Sequence, residues 1–530
     1  MPSLREQLKT LQFWSLETCV FLGLVLTAVV LRDLPRWLDR RDLLRIPALM
    51  ALAVGLTVGL VPRTNRIYYD EQIYQNVGQN LADLKLAQMC NDRTVQDGRL
   101  HCSSGQYNKQ PYAYPHVLSL AYRVVGIGVT TPFVVNAIAM GLTVCFVYLL
   151  VFLLFSDHIA AFFAALLLAL TPEQLLWSAT AAVEPSASLA SVTALLAAAC
   201  FIRSRSTAAL AGAAVALAYA VQFRPESFLI GPVVALLLWQ RTPEEFRRPR
   251  LWWAGLLLLA LAGVHAGHMI AVRNEGWGTT QARMSLGYAA DNLRVNGWFY
   301  LRDARFPMTF TLLAVLGLSG RRVETGRLAI ALYFLLFFGI ALLFYAGSYD
   351  YGADIRYSLA TYPPVAILGG LGVARVVRWV ERLESGVLVV PGLTAAVACQ
   401  FLLYLPVVRA TTDGAWAARA DVQFARSLVP DLPGNSYVLT HNPGMFQVWG
   451  VNAGQMSLAV TNPAYLDDLA TRFPGRVYLH WNFWCNVQDP IQPAFCAKVL
   501  ALRPGEPVRE YRERDQHYIL YRLQNPIREH

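Results

Sequence analysis

Charged residues are scarce in this sequence of 530 residues: 15% of the chain is charged, whereas soluble domains carry about 25%. Lysine is scarcer still, because only four of the 45 basic residues are lysines. Hydrophobic residues make up 55% of the chain and are gathered into long apolar runs. This composition excludes an ordinary soluble protein and is typical of a polytopic membrane protein.

The sequence also lacks a phosphate-binding glycine loop, an internal repeat and a recognisable cleavable signal peptide. Residues 1–12 carry charges of both signs, and no small-x-small cleavage site follows the first apolar run. We therefore do not expect the N-terminal segment to be removed as a signal peptide. Without the glycine motif, no nucleotide-binding site can be assigned.

About twelve apolar segments are long enough to cross, or nearly cross, a lipid bilayer. Their predicted bounds are 13–31, 46–62, 132–155, 159–177, 184–202, 207–223, 225–240, 251–272, 306–319, 328–346, 358–376 and 386–406. The sequence therefore predicts a polytopic α-helical membrane domain over residues 1–406. One connection in it, residues 63–131, is much longer than the others.

Arginines are concentrated in alternate short loops between these segments. The arginine-rich loops are 32–45, 203–206, 241–250, 320–327 and 375–385. Because short loops rich in Lys and Arg stay on the cytoplasmic side, the net charge of +10 reports orientation and not a nucleic-acid partner. The N-terminus, the loop 63–131 and all residues after 406 are then predicted to be extracytoplasmic.

After Pro406 the apolar runs give way to a different pattern. Four stretches are predicted as short strands: NSYVLT, QMSLAV, GRVYLHW and HYILYRL. Helix-like stretches at 414–428 and 463–473 lie between them. The alternation predicts a small α/β domain over residues 407–530, with a largely parallel sheet.

Four of the eight cysteines lie outside the predicted spans, all on the predicted external side. Cys90 and Cys102 close one short loop, and Cys485 and Cys496 close another. In an oxidising compartment each pair would form a disulfide. The two spacings lack accompanying histidine ligands, so a zinc site is the weaker alternative.

Two adjacent carboxylates, Asp70 and Glu71, follow the second apolar segment in the stretch IYYDEQIYQNVGQNLADL. An amphipathic helical pattern begins here, so one interpretation is that Asp70 simply caps a helix. The other is an active site, because the pair lies in a long external loop and such loops are usually functional. The two interpretations are compatible.

Several stretches, taken in their order along the chain, resemble the GT-C superfamily. They are the Asp-Glu pair after an aromatic residue, YNKQPYAYPHVLSLAYRVVG, the hairpin SDHIAAFFAALLLALTPEQLLWSATAAVEPSASLASVTALL with Glu184 at its external turn, and GADIRYSLATYPPVAILGG. The resemblance covers residues 45–380 and is greatest to protein O-mannosyltransferases and lipid A aminoarabinose transferases. Those families usually have one span before the acid loop, so the additional segment 13–31 has no counterpart.

The resemblance implies a GT-C-like glycosyltransferase, and the apolar segments predict about twelve transmembrane helices. A prokaryotic cell inner membrane is the expected location, with an archaeal or endoplasmic membrane as the alternative. Such an enzyme would move a sugar from a polyprenyl-phosphate donor to an extracytoplasmic protein, lipid or glycan acceptor. The alternatives are a polytopic lipid or sugar transporter or flippase, and a non-enzymatic envelope-assembly subunit. No nucleic acid is expected as a partner, no cofactor is certain, a divalent metal is an open alternative, and the oligomeric state is left open.

The residues suit that chemistry. Asp70 would act as the general base that takes the proton of the acceptor hydroxyl, with Glu71 orienting donor or acceptor. Repulsion between the adjacent carboxylates would raise their pKa and make a better base.

Cations would stabilise the departing lipid phosphate. The candidates are Lys109, Arg356, Arg294 and Arg224, each with contact to lipid headgroups as its alternative. Glu184 is a second active-site acid or a helix-turn acid. Asp350 and Asp354 are candidate oxygen ligands for a divalent cation.

Overall fold

In the computed structural model the described residues are 3–32, 37–96, 99–275, 282–319, 325–350, 353–382, 388–488 and 491–525. The loop arginines Arg36, Arg321 and Arg322 and the side chain of Asp354 lie outside them. The contacts divide the chain into two compact units. Unit 1 comprises Met1–Arg63, Lys109–Tyr114 and Phe133–Thr412, and unit 2 comprises Thr64–Asn108, Pro115–Pro132 and Asp413–His530.

The helices and strands are numbered in chain order. The helices are α1 (Leu4–Leu31), α2 (Asp42–Gly59), α3 (Asp70–Asp83), α4 (Ala113–Val125), α5 (Thr131–Phe155), α6 (His158–Ala169), α7 (Pro172–Ser178), α8 (Glu184–Ser204), α9 (Thr207–Ala220), α10 (Ile230–Arg241), α11 (Pro249–Val272), α12 (Ala289–Arg302), α13 (Met308–Leu318), α14 (Thr325–Leu343), α15 (Tyr362–Val380), α16 (Val389–Gly414), α17 (Trp416–Leu428), α18 (Pro443–Val448), α19 (Met456–Thr461), α20 (Ala464–Arg472) and α21 (Gln492–Leu502). The strands are β1 (Met89–Gln96), β2 (Arg99–Gln106), β3 (Tyr437–Thr440), β4 (Asn452–Gln455), β5 (Val477–Trp481), β6 (Gly505–Glu513) and β7 (Gln516–Leu523).

Unit 1 is built from the apolar helices, and every predicted apolar segment is helical. Within the described ranges, eight helices are long and apolar enough to cross a membrane, and α6 with α7 would be a ninth span, bent by 60°. Helices α9, α10 and α13 are shorter than these spans, because the apolar runs that form them are short. The predicted helical membrane fold is confirmed, and the chain is an integral membrane protein.

The additional N-terminal span is a packed part of unit 1. On α1, Cys19 lies in a buried apolar cluster with Val215 and Ala218 of α9 and Leu261 of α11. The buried Gln12 side chain also donates to Gln222 Oε1 at 2.7 Å. Segment 13–31 therefore has partners on two other helices, which the sequence alone could not assign.

Unit 2 is built on a seven-stranded sheet with the order β2-β1-β4-β3-β5-β7-β6. Strand β3 pairs in parallel with β4 and β5, and the other neighbouring pairs are antiparallel. The prediction of a largely parallel sheet is therefore wrong. The reason is that the hairpins β1–β2 and β6–β7 extend a short parallel centre at both edges.

Three predicted strands are confirmed as β3, β5 and β7, but QMSLAV is not a strand. It forms α19, in which Met456 and Ala459 are buried three residues apart, the spacing of one helix face. The predicted helices at 414–428 and 463–473 correspond to α17 and α20.

The contacts also group the acid loop differently from the predicted ranges 1–406 and 407–530. Strand β1 of that loop pairs with β4, with Asp92 opposite Gly454. Helix α3 is fastened in the same unit, because Asn76 Nδ2 donates to Gln447 Oε1 at 2.6 Å. Residues 64–108 thus form one compact unit with the C-terminal residues.

Both predicted disulfides are present in unit 2. Cys90–Cys102 joins β1 to β2 across 5.8 Å between Cα atoms, and Cys485–Cys496 joins the turn that follows β5 to α21 across 5.9 Å. The second disulfide is buried within the apolar core on one face of the sheet. The disulfide prediction is confirmed.

Candidate active site

The chain reaches Asp70 through a strained turn. Tyr69 has φ 67° and ψ −49°, and the Asp70 N–H donates to the Tyr68 carbonyl at 2.9 Å. These angles and this bond describe a γ-turn with positive φ, the rarer and more strained of the two kinds. A non-glycine residue in such a conformation costs about 1–3 kcal/mol, and strain of this kind is concentrated at functional sites.

Asp70 is the first residue of α3 and not its cap. The N-cap is Tyr69, which makes no side-chain capping bond. A carboxylate in the first turn still interacts favourably with the helix dipole. The capping interpretation is thus reduced to a favourable charge at the helix start, and the Asp70 side chain is half-buried, so it keeps some contact with solvent.

Glu71 lies in a different environment from its neighbour. Its side chain is fully buried and accepts hydrogen bonds from the Asn65 side-chain amide and from the Arg66 N–H, the latter at 3.1 Å. These bonds tie the chain before the turn back to the start of α3. The two adjacent carboxylates therefore differ in their surroundings, and Glu71 holds the shape of the loop.

In unit 1 the structure brings together three of the predicted residues, which are far apart in the sequence. Glu184 begins α8, Arg224 lies between α9 and α10, and Arg356 lies in the 3-10 segment Asp354–Thr361 before α15. Glu184 Oε1 accepts a hydrogen bond from Arg224 Nη1 and lies 3.3 Å from Arg356 Nε. We call these three residues the ion cluster.

The ion cluster is largely removed from solvent and has two further partners. The side chains of Glu184, Arg224 and Arg356 are 3%, 14% and 12% exposed. Glu226 accepts a second bond from Arg224. The Tyr357 ring centroid lies 4.8 Å from the Arg224 guanidinium carbon and 5.3 Å from that of Arg356.

A small cavity adjoins the ion cluster. Its lining includes the three cluster residues and, in addition, Glu226, Tyr357, Ser188 and Ser191. Guanidinium groups present planar pairs of donors that match phosphate oxygens, and hydroxyl groups can donate to and accept from a sugar. Sequence reasoning missed Glu226 and Tyr357, although each lies within two residues of a predicted arginine.

The remaining predicted cations lie elsewhere. Arg294 is exposed on α12, and the described contacts of the ion cluster do not include it. Lys109 is half-buried and begins the segment Lys109–Tyr114, in which the Tyr112 ring meets His268 of α11 at 5.3 Å. Both residues stay predictions.

Of the two candidate metal ligands, only Asp350 has a described side chain. Asp350 is 62% exposed and accepts a bond from Arg305 Nη2 at 2.9 Å. Within the described ranges, the side-chain groups close enough to share an ion are His441 with Cys485 and Cys496, and Asp39 with Asp42 and His158. The first group includes His441, which the cysteine spacing did not suggest. The sulfur atoms of Cys485 and Cys496 in this group are already joined in the disulfide.

Residues 109–268 match the family model described as dolichyl-phosphate-mannose-protein mannosyltransferase. No curated protein matches the sequence. The matched family segment spans less than half of the chain.

Solved structures match over nearly the whole chain. ArnT from Cupriavidus metallidurans bound to undecaprenyl phosphate is 12% identical with a TM-score of 0.57, covering 92% of this chain and 98% of that one. Its apo form gives a TM-score of 0.58 at 12% identity, covering 90% and 97%. The archaeal oligosaccharyltransferase AglB from Archaeoglobus fulgidus, in complex with an inhibitory peptide and a dolichol-phosphate, gives 0.52 at 13% identity, covering 83% and 69%.

Proposed function

We propose that this chain, which has the GT-C fold, is an integral-membrane glycosyltransferase. In this proposal it moves a hexose or pentose from a polyprenyl-phosphate donor to a protein, lipid or glycan acceptor on the extracytoplasmic face. The family model matched by residues 109–268 supports the reaction class. The undecaprenyl phosphate and dolichol-phosphate held by the two similar proteins support the donor class.

The ion cluster is the observation that carries the proposal. Two arginines and a glutamate so little exposed are expensive to desolvate, and a buried ion pair is weak evidence for a stabilising role. Ionisable groups at such positions in membrane proteins usually mark a substrate site. We infer that Arg224 and Arg356 bind the lipid phosphate and that Glu184 holds both guanidinium groups in place.

Asp70 is the proposed general base. Its position at a strained turn, half-buried at the start of α3, suits a group that accepts a proton from the acceptor as it attacks the anomeric carbon. The bond between the anomeric carbon and the phosphate oxygen then breaks, and the phosphate leaves with its charge balanced by arginine. Glu71 keeps the loop in shape.

The remaining predicted roles complete the proposal. Lys109 and Arg294 are further candidates for contact with the donor phosphate. Residues 407–530, which are predicted to be extracytoplasmic, are proposed to handle the acceptor. Cationic side chains supply the charge that the leaving phosphate needs in this proposal, and a divalent metal stays an open alternative.

Donor cleavage by the purified protein tests the function. The full-length chain is reconstituted into sealed lipid vesicles with polyprenyl-linked sugars extracted from cells that lack it, where an unused donor should accumulate. Formation of free polyprenyl phosphate together with a glycosylated acceptor is the expected result. Movement of intact donor between leaflets without cleavage would indicate a flippase, and neither event would indicate an assembly subunit.

A further inference from the structure

An aromatic turn of the C-terminal residues packs on the acid motif. The turn is the 3-10 segment Phe483–Cys485, which closely follows β5. The Tyr68 ring stacks on Phe483 at 4.0 Å with the ring planes inclined by 17°, and the Tyr69 ring stacks on Trp484 at 5.4 Å and 15°. Both residues before Asp70 are therefore held by rings from a segment more than 400 positions away.

The aromatic turn is itself firmly fixed. The Asn482 side chain accepts a bond from the Trp484 N–H at 3.0 Å and donates to Thr440 Oγ1 of β3 at 3.1 Å. Cys485 is buried and joined to Cys496 of α21. Because a strand, a helix and a disulfide all fix this turn, its rings form a rigid surface for the two tyrosines.

This arrangement explains how the strained γ-turn persists. A residue with positive φ keeps that conformation only when its surroundings determine it. Tyr69 is the strained residue, and its ring is the one that stacks on Trp484. Without that contact the backbone is free to relax to negative φ, which would reorient Asp70 at the next position.

We propose that Trp484, with Phe483, is a positioning residue that sets the direction of the Asp70 carboxylate through Tyr69. The predicted effect of Trp484 on turnover rests on the proposed function, whereas its predicted effect on the structure of the turn does not. Misplacement of a catalytic group by about 1 Å can cost about 10²-fold in rate. Loss of the Trp484 ring should therefore lower kcat by about 10- to 10²-fold, with a smaller change in the KM for the donor.

The test compares four full-length variants in nanodiscs. Trp484→Ala removes the ring, and Trp484→Phe keeps an aromatic ring at the same place. Trp481→Ala is the matched control, since this tryptophan lies on β5 and packs against Tyr521. Tyr69→Ala removes the other ring of the stack and leaves the C-terminal core intact, so it decides the question if Trp484→Ala does not fold.

Two readouts are taken: hydrogen exchange of the peptide 64–76, and the kcat and KM of donor cleavage. We expect Trp484→Ala and Tyr69→Ala to show faster exchange of that peptide and a lower kcat. Trp484→Phe should restore both readouts to wild-type values, and Trp481→Ala should leave both unchanged. Unchanged exchange would overturn the proposal, and so would faster exchange with an unchanged kcat. If the wild type cleaves no donor, the proposed function fails, and exchange alone decides whether Trp484 holds the turn.

Discussion

At the scale of single residues, the adjacent carboxylates Asp70 and Glu71 lie in different surroundings in the folded chain. Glu71 is enclosed and bonded to Asn65 and Arg66, whereas Asp70 is half-buried behind a strained turn. Neighbours on a helix point about 100° apart, so different roles for them were expected. The partners that assign each role lie in the folded chain and are not visible in the motif.

Arg356→Gln is expected to weaken use of the donor. The substitution removes one charged contact to the proposed phosphate, while Glu184 keeps its bond to Arg224, so the fold should persist. Loss of a hydrogen bond to a charged group costs about 1.5–3 kcal/mol, or about 10- to 150-fold in kcat/KM. Donor titrations measure this ratio.

The matched control for that measurement is Arg378→Gln. Arg378 lies in the last turn of α15, at the far end from Arg356, and makes an exposed ion pair with Asp157. Exposed pairs contribute little, so kcat/KM should stay within about twofold of the wild type. Equal losses in both variants would show that the effect at Arg356 is general to arginine in this unit.

For the ion cluster, the sequence predicted the individual residues but not their contact with one another. Glu184, Arg224 and Arg356 were each proposed from local patterns, namely a hairpin turn, a helix junction and an Arg-Tyr stretch. Their meeting at one carboxylate oxygen could not be predicted, because no short spacing connects them. The γ-turn at Tyr69 was equally hidden, since tyrosine carries no preference for positive φ.

At the scale of elements, α13 and α15 cross with their backbones in close contact. A Cβ atom on Gly317 would lie 1.8 Å from the Leu368 carbonyl oxygen, and one on Gly372 would lie 2.0 Å from that of Leu313. Small residues at such crossings are what allow membrane helices to approach this closely.

Gly317→Ala should therefore destabilise unit 1. The methyl group meets backbone atoms that cannot move aside, and overpacking typically costs about 1–3 kcal/mol. A lower thermal midpoint in detergent is expected. Gly339→Ala on α14 is the control, because a Cβ atom at this position would have no atom of the described residues within 4 Å, and it should match or exceed the wild type. An unchanged midpoint in Gly317→Ala would contradict the described crossing.

Asp421 on α17 gives unit 2 a pH-dependent stability. Burial raises the pKa of Asp421 to about 7, partly offset by a hydrogen bond from the Phe483 backbone, whereas the unfolded value is about 3.9. Between pH 4 and pH 7 the folded state holds a proton that the unfolded state has lost. This contribution is therefore fully present below about pH 4 and is lost as pH rises towards 7.

Asp421→Asn should remove that dependence. Relative to the wild type, the variant should gain stability as pH rises from about 4.5 to about 7.5. Burial lowers the pKa of His441 to about 4, and this opposing contribution is common to both proteins and cancels in the difference. His480 Nε2 lies 3.7 Å from Asp421 Oδ1, so the substitution changes its surroundings. Because burial lowers the pKa of His480 to about 3, this ring is neutral in the folded wild type throughout the measured range. Protection of the peptide 416–428 against hydrogen exchange is the readout, and a difference that does not vary with pH would refute the assignment.

Some of the helices and strands could be predicted from composition, and others could not. Length and hydrophobicity are properties of one segment, so every membrane helix was found from its apolar run. Strand β4, with the sequence NAGQ, has no apolar alternation, and its Gly454 is required because a Cβ atom there would lie 2.1 Å from the Tyr437 hydroxyl. The edge strands of the sheet, β2 and β6, are polar, as edge strands usually are.

At the scale of the whole molecule, the distribution of arginine among the loops predicts the orientation in the membrane. The arginine-rich loops alternate along the chain with the connections that hold Asp70, Glu184 and Arg224. The positive-inside rule predicts that those three residues are extracytoplasmic. A reporter that is active only outside the cytoplasm, fused after residue 530, should be active, and one fused within the loop 241–250 should be silent. The reverse pattern would invert the proposed side of the reaction.

The central claim is that this chain cleaves a polyprenyl-phosphate sugar with Asp70 as the base, and release of free polyprenyl phosphate by Asp70→Asn tests it most directly. Asparagine keeps the shape of the side chain but cannot take the proton, so turnover should fall by about 10²–10⁴-fold. The thermal midpoint should fall only slightly, through the lost charge at the helix start. Asp83→Asn, at the exposed other end of α3, should release polyprenyl phosphate at the wild-type rate. Near-normal release by a folded Asp70→Asn protein would contradict the account.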